Sequence, residues 1–170
     1  MPIRRAKPSD ARGIVEVRVA SWRVAYRGLL PDTLLDSLSV ESSEVNGRTK
    51  GIAEGVFQTL VYEEGDQIIG FASLGASQDE DVGQRKVGEI YAMYLVPAEW
   101  RKGRGTALMG KAIERLRQEG YTEATLWVLH NNERAKRFYE ALGFETDGAE
   151  KVVQRKDGVA LHEVRYRRSL

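Results

Sequence analysis

Residues 100–106, Trp100-Arg101-Lys102-Gly103-Arg104-Gly105-Thr106, combine two glycines with three cations where an apolar strand pattern gives way to a helical one. Gly103 and Gly105 let the backbone come close to a ligand, and the first amides of a helix, at its positive dipole end, have no partner within the helix. Together these features make an anion cradle. With Arg101, Lys102 and Arg104 adding positive charge, a diphosphate fits the pattern better than a single carboxylate does.

Other phosphate and nucleophile patterns fail on the same residues. Gly105-Thr-Ala-Leu-Met-Gly110-Lys111 matches seven positions of a P-loop, but Ala112 stands where a Ser or Thr hydroxyl must meet the metal. Its would-be loop is also the first turn of an amphipathic helix. A dinucleotide fingerprint fails because the third glycine position, counted from Gly103 and Gly105, is Leu108. Ser73, in Gly-Phe-Ala-Ser-Leu-Gly, lacks the spacing of a nucleophile elbow. The chain has no Cys and only two His, His130 and His162, which excludes a disulfide scaffold and Cys/His zinc sites. No metal is expected. With 26 Lys+Arg against 25 Asp+Glu there is no electrostatic footprint for nucleic acid. The first ten residues, MPIRRAKPSD, lack the apolar core of a signal peptide, and no apolar run is long enough to span a bilayer. A cytoplasmic protein with neither nucleic-acid nor membrane partners is the expectation.

The elements that must position the cradle follow from periodicity. Residues 3–5 read as a short strand, and Pro8-Ser9-Asp10 opens a helix predicted to stop near Gly28. Pro31-Asp32 starts a second short helix through Leu38, while residues 39–55 carry no clear pattern. Residues 56–62 and 67–74 flank Glu64-Gly65-Asp66 and read as a hairpin. Residues 79–86 read as a charged loop. The run EIYAMYLV, residues 89–96, is apolar on alternating sides, as in a strand buried on both faces. A helix over 106–118, a buried strand over 125–129 and a helix from Glu133 to a stop at Gly143 complete the pattern. Two last strands are expected near Phe144 and over 161–166. This order describes one domain over residues 1–170: an α/β fold with a mixed sheet of six to seven strands and helices on both faces.

The cradle, as Trp100-Arg101-Lys102-Gly103-Arg104-Gly105, resembles the acyl-CoA motif of the GNAT superfamily of N-acetyltransferases, Gln/Arg-x-x-Gly-x-Gly/Ala, with Trp100 replacing the first residue. A second stretch, Asn132-Glu133-Arg134-Ala135-Lys136-Arg137-Phe138-Tyr139 followed by Gly143-Phe144, is similar to that family's Asn-x-x-Ala-x-x-x-Tyr and Gly-Phe element. The two occur in the family's order and separation. The resemblance is close over 89–144 and looser over 3–38.

It implies an acetyl-CoA-dependent N-acetyltransferase in which Glu89 acts as general base and Tyr139 as general acid toward the leaving thiolate. Backbone at Met93, Tyr94 and Leu95 would hold the acetyl carbonyl and the pantetheine arm. Arg101, Lys102, Gly103, Arg104, Gly105 and Thr106 would take the pyrophosphate, and Asn132 would meet the CoA arm. The acceptor, expected to be a small-molecule primary amine, would lie against Trp22, Tyr26, Arg27 and a late loop over 147–157. Direct attack without a covalent enzyme intermediate is expected. Acetylation of protein N-termini or lysines, and a silent acyl-CoA-binding module, are the alternatives. A homodimer is compatible with all of these.

Overall fold

A computed structural model describes residues 2–170. Seven strands and five helices alternate in the order β1 (Ile3–Arg5), α1 (Ala11–Ala25), α2 (Asp32–Ser37), α3 (Ser42–Glu54), β2 (Gln58–Glu64), β3 (Gln67–Ala76), β4 (Val87–Leu95), α4 (Arg104–Gln118), β5 (Glu123–Leu129), α5 (Glu133–Ala141), β6 (Glu145–Gln154) and β7 (Ala160–Ser169). The chain divides into two compact units, one running to Gly75 and resuming over Ile90–Arg115, the other comprising Ala76–Glu89 and Leu116–Leu170. The first unit carries β1, β2, β3 and most of β4, and the second carries β5, β7 and β6 as neighbours in that order, seven strands in all among the described residues. The α/β class and strand number match the sequence expectation.

In the first unit the pleat sorts the strand residues onto two faces. Val61 pairs with Phe71 on one face and Leu60 with Ala72 on the other. Onto the first face α1 lays Ile14 and Val17, which pack with Val61 and Phe71, while Ile52 of α3 and Ala92 and Tyr94 of β4 close the cluster. The second face carries α4, whose Arg115 Nε donates to Gln58 Oε1 at 2.7 Å. Leu108, Met109, Ala112 and Ile113 give α4 its buried stripe. A predicted stripe thus lands where its spacing requires. Near the N-terminus, Arg4 joins Asp10 and Glu63, tying β1 to β2 and to the start of α1.

In the second unit β7 lies between β5 and β6, with Leu126 opposite Tyr166 and Trp127 opposite Arg165. The α5 layer covers the Leu126–Tyr166 face, because Tyr166 Oη donates to Glu140 Oε1 at 3.0 Å and the Phe144 amide returns to the Tyr139 carbonyl at 3.0 Å. The other face is polar. There Arg165, 5% exposed, is held by Asp79, Asp81 and Asp147.

Three differences from the sequence reading have physical causes. Residues 42–54, left without a pattern, form α3, which ends on Gly55 in the left-handed conformation at φ 67°. The stretch 147–157 is not a loop: residues up to Gln154 belong to β6 and pair with β7, with a register shift between Thr146 and Glu150. Its turn is made at Asp157-Gly158, where Asp157 Oδ1 accepts from the Val159 amide and Gly158 has φ 84°. The strand expected to be sealed on both faces is buried over Val87–Ile90, but only half-buried from Tyr91 to Tyr94.

Candidate active site

The first unit holds the cradle. The α4 helix begins two residues earlier than its pattern suggested, at Arg104, so Gly105 and Thr106 lie in its first turn. The first helical bond runs from the Ala107 amide to the Gly103 carbonyl at 3.1 Å, which leaves the preceding amides without intrahelical partners. Ahead of them the backbone is left-handed twice, at Arg101 (φ 62°) and at Gly103 (φ 76°). Among the described residues Arg101 is the one non-glycine with positive φ. Held in that region at a cost of about 1–3 kcal/mol, it belongs to the class of strained residues found at ligand clamps. Nothing lies within 4 Å of a Cβ built on Gly103, so its glycine serves the backbone angle and close approach, not internal packing.

The three cations are not equivalent. Arg104 forks onto the Glu64 carboxylate at 2.6 and 2.8 Å and reaches Glu99 through Nε at 2.9 Å, and its guanidinium lies 5.6 Å from the Tyr62 ring centroid. Its charge is therefore directed to the end of β2. The hydrogen bonds that Arg104 donates to Glu64 raise the Arg104 pKa, and the same bonds lower that of Glu64. Lys102 pairs with Glu99 at 3.3 Å, whereas Arg101 is exposed and has no side-chain partner among the described residues. Trp100, at the position where the motif departs from its usual form, donates from its indole to the Leu95 carbonyl at 2.9 Å and so fastens the loop to the end of β4.

Beside β4 an aromatic row forms in the same unit. Trp22 and Tyr26 of α1 meet edge to face at 4.9 Å, the Tyr26 and Tyr94 hydroxyls are 3.2 Å apart, and Tyr94 lies 5.7 Å from Phe71. Two predicted acceptor residues and one predicted cofactor residue are thus brought together. Arg27 is not among them: it pairs with Asp32 and Asp36 of α2, both at 3.1 Å.

The second unit holds Glu89, Asn132 and Tyr139. Glu89 is 7% exposed, and burial pushes its carboxyl pKa up; a hydrogen bond from the Gln78 amide at 3.2 Å lowers it, and the charge of Asp79 raises it again. A carboxyl poised above its ordinary value suits a proton acceptor. Asn132 caps α5, its Oδ1 accepting from the Ala135 amide at 3.2 Å, and Tyr139 stands two turns on, half-buried between Phe138 and Phe144. Tyr139 comes from the helix layer, Glu89 from the strand layer.

One residue that the sequence reading passed over is Glu163. It lies opposite Leu129 and Lys151, half-buried, and burial raises its pKa against the lowering effect of Lys151. Glu89 feels the same lysine, whose Nζ sits 4.2 Å from the Trp127 ring centroid. The signal was present: Leu161, Glu163 and Arg165 alternate along one face of a strand, so that face must be partly polar. Among the described residues no group of acidic or histidine side chains has the arrangement of a metal site, and no helix is long and apolar enough to cross a membrane.

Comparison with known proteins agrees with this architecture. Residues 24–144 match the profile of the Acetyltransferase (GNAT) family. The uncharacterized N-acetyltransferase YuaI of Bacillus subtilis is 35% identical over 130 residues, covering 76% of this chain and 72% of its own. Among solved structures, the PaiA N-acetyltransferase of Thermoplasma acidophilum in complex with coenzyme A superposes with a TM-score of 0.76 at 20% identity, covering 99% of this chain and 98% of its own. The yncA protein of Salmonella typhimurium, solved with its cofactor acetyl-CoA, gives a TM-score of 0.73 at 24% identity over 99% of this chain and 92% of its own.

Proposed function

Because this chain belongs to the acetyltransferase (GNAT) family and is an N-acetyltransferase, we propose that it moves the acetyl group of acetyl-CoA onto a primary amine of a small molecule. In this reading residues 1–170 act as one cytoplasmic transferase domain. The observation that carries it is the left-handed backbone at Arg101 and Gly103 ahead of the unbonded first amides of α4. Consecutive amides turned outward by left-handed residues form an anion nest, and a helix N-terminus adds its dipole. That arrangement fits a diphosphate.

Acetyl-CoA supplies the acetyl group as a thioester. The amides of Gly103, Arg104, Gly105 and Thr106 hold its pyrophosphate, with Arg101 and Lys102 as supporting charge, while Arg104 mainly braces the loop through Glu64 and Glu99. Met93, Tyr94 and Leu95 present the backbone of the half-buried end of β4 to the acyl arm. Asn132 keeps α5 capped and offers its amide NH2 to that arm. Glu89 takes a proton from the acceptor's ammonium, directly or through water, so that the free amine attacks the thioester carbonyl, and Tyr139 protonates the departing thiolate. Trp22 and Tyr26 line the acceptor side.

The test is an acetyl-CoA turnover screen across polyamines, aminoglycosides, amino acids and peptides, run beside Tyr139→Phe and Gly103→Val. Turnover of a small amine is expected. Loss of the phenol should lower kcat roughly 100-fold with CoA affinity kept, and a side chain forced into positive φ should weaken CoA binding roughly tenfold. Peptides turned over faster than every small amine would overturn the substrate class. Unchanged CoA affinity in Gly103→Val would overturn the site.

A further inference from the structure

Arg48 is a charged group without a job inside the protein. It lies on α3 on the same stripe as Val45, Thr49 and Ile52, at i, i+3, i+4 and i+7, and this stripe is the half-buried side of the helix. Its guanidinium sits 5.3 Å from the centroid of Phe71, which is 0% exposed, and its Nε is buried with no hydrogen-bond partner. No ion pair meets it among the described residues. The carboxylate whose charge acts on it, Glu44, is committed elsewhere: both of its oxygens bond Arg18, at 2.8 and 2.7 Å. Two arginines thus share one glutamate.

Burial lowers the Arg48 pKa, the field of Glu44 partly opposes this, and that of Arg18 adds to it. A guanidinium nonetheless keeps its proton at any physiological pH, so the half-buried Arg48 holds its charge at a desolvation cost, with Nε unbonded and no ion-pair partner, and an anion at its terminal nitrogens would supply one. A cation over an aromatic ring recovers part of that cost but satisfies none of the N–H donors. What adjoins Arg48 indicates the anion's source. Phe71 is the inner end of the aromatic row that continues through Tyr94 to Tyr26 and Trp22, and these last three are half-buried and so reachable from solvent. Arg18 flanks the other end of the row, 5.4 Å from the Trp22 ring centroid.

We propose that Arg48 receives a carboxylate of the acceptor, so that the preferred substrate is a small amine that also carries an acid group, its body laid along Trp22, Tyr26 and Tyr94. The assignment rests on the acetyl-transfer reading, with the carboxylate at the Arg48 end of the row and the reacting amine held away from it. A planar fork of donors matches a carboxylate's two oxygens, which a lysine in that place would not do.

The experiment measures kcat and KM for amines matched in body and differing in the acid, such as phenylalanine, its amide and phenethylamine, with wild type, Arg48→Lys and Arg48→Met. Wild type is expected to favour the acid by roughly tenfold to a hundredfold in kcat/KM, the range of a hydrogen-bonded charge pair. In Arg48→Met the ratio falls to about one, with the loss lying in KM for the acid; Arg48→Lys falls between. Without substrate, the urea midpoint of Arg48→Met should hold or rise, since an apolar chain replaces a half-buried charge that has no ion-pair partner. A ratio near one in wild type, a ratio kept in Arg48→Met, or a lowered urea midpoint in that variant would each overturn the proposal. Absence of turnover with every amine would sink the transfer reading alone. Calorimetric titration with hydrocinnamate, a carboxylate that cannot react, then decides for Arg48 by binding to wild type and not to Arg48→Met, or against it by binding both or neither.

Discussion

Arg165, on β7, is 5% exposed and contacts three aspartates; Arg48, on α3, has its Nε buried and contacts none. Both stack on an aromatic ring, Arg165 at 5.5 Å from Trp127 and Arg48 at 5.3 Å from Phe71. The ring contact is therefore shared, and the difference lies in the carboxylates. Arg165 uses its Nε on Asp147, which ties in β6, and its two terminal nitrogens on Asp79 and Asp81, which pin the segment before β4. The hydrogen bonds it donates to Asp81 lead the causes that raise its pKa. Full satisfaction of this kind marks a structural charge. The absence of it, in a half-buried side chain whose Nε is sealed from water, marks a charge kept for something that binds.

The sharpest way to break that contrast is to remove the satisfied arginine. Arg165→Met removes the main cation from Asp79 and Asp147, whose side chains are only 13% and 14% exposed, leaving Asp79 the Trp127 indole and Asp147 the more distant Arg167, and loosens both the 79–82 segment and the β6 strand. Removing one partner from a buried ionic cluster costs about 3–5 kcal/mol, so urea unfolding should show a loss of that size. The same replacement at Arg48 should cost nothing. Equal losses at both positions would mean that Arg48 is as structural as Arg165.

Acid should separate the regions less strongly but in a defined direction. Hydrogen bonding from Arg165 leads the causes that hold Asp81 down to about 2. A carboxyl whose folded pKa is depressed contributes stability that is fully present above its unfolded value, about 3.9, and lost as pH falls through the folded one. Asp10 titrates in the same sense: burial pushes its pKa up, but hydrogen bonds from the Arg4 side chain and the Lys7 amide outweigh that and leave it lowered. Stability of the wild type should therefore decline from about pH 4 toward pH 2. In Arg165→Met the slope should be shallower, because Asp81 loses its leading folded-state partner and keeps only the weaker field of Arg85 and a backbone bond. In Arg48→Met it should be unchanged, as no carboxylate contacts that guanidinium. A slope altered by Arg48→Met would show a hidden carboxylate partner.

The contrast also explains what the sequence could and could not announce. Helices α4 and α5 were legible because their stripes are apolar and their ends are marked by Gly120 and Gly143, both left-handed in the structure. The cradle was legible because glycines and cations stand together at a strand-to-helix step. Helix α3 was not, and Arg48 is part of the reason. The stripe Val45, Arg48, Thr49, Ile52 has helical spacing, but half of it is polar, and Gly47 and Gly51 dilute it further. Gly55 was the one clear stop signal. Strand β6 hid for a related reason: it is an edge strand with almost every residue exposed, so ETDGAEKVVQ carries no alternation to read. Side-chain commitments were beyond the sequence altogether. Nothing in the spacing of residues 100–106 says that Arg104 turns to Glu64 and Glu99 while Arg101 does not.

The smallest expected effect probes the unsatisfied region from its other side. Glu44 pairs with Arg18 and its charge also acts on Arg48, and the pair with Arg18 is partly sheltered, at 18% and 30% exposure. Glu44→Gln removes that pair and leaves two cations on neighbouring helices with nothing between them. A loss of about 1 kcal/mol is expected, near the upper end for a partly exposed pair. If Arg48 contributes to it through like-charge repulsion, the loss should shrink when Glu44→Gln is made in the Arg48→Met background, and the difference is the coupling between the two sites. An equal loss in both backgrounds would mean that Arg48 does not feel this part of the field, and its buried charge would then need some account other than shared ownership of Glu44. A coupling seen without substrate and abolished by a bound carboxylate would show the acid group doing for Arg48 what the aspartates do for Arg165.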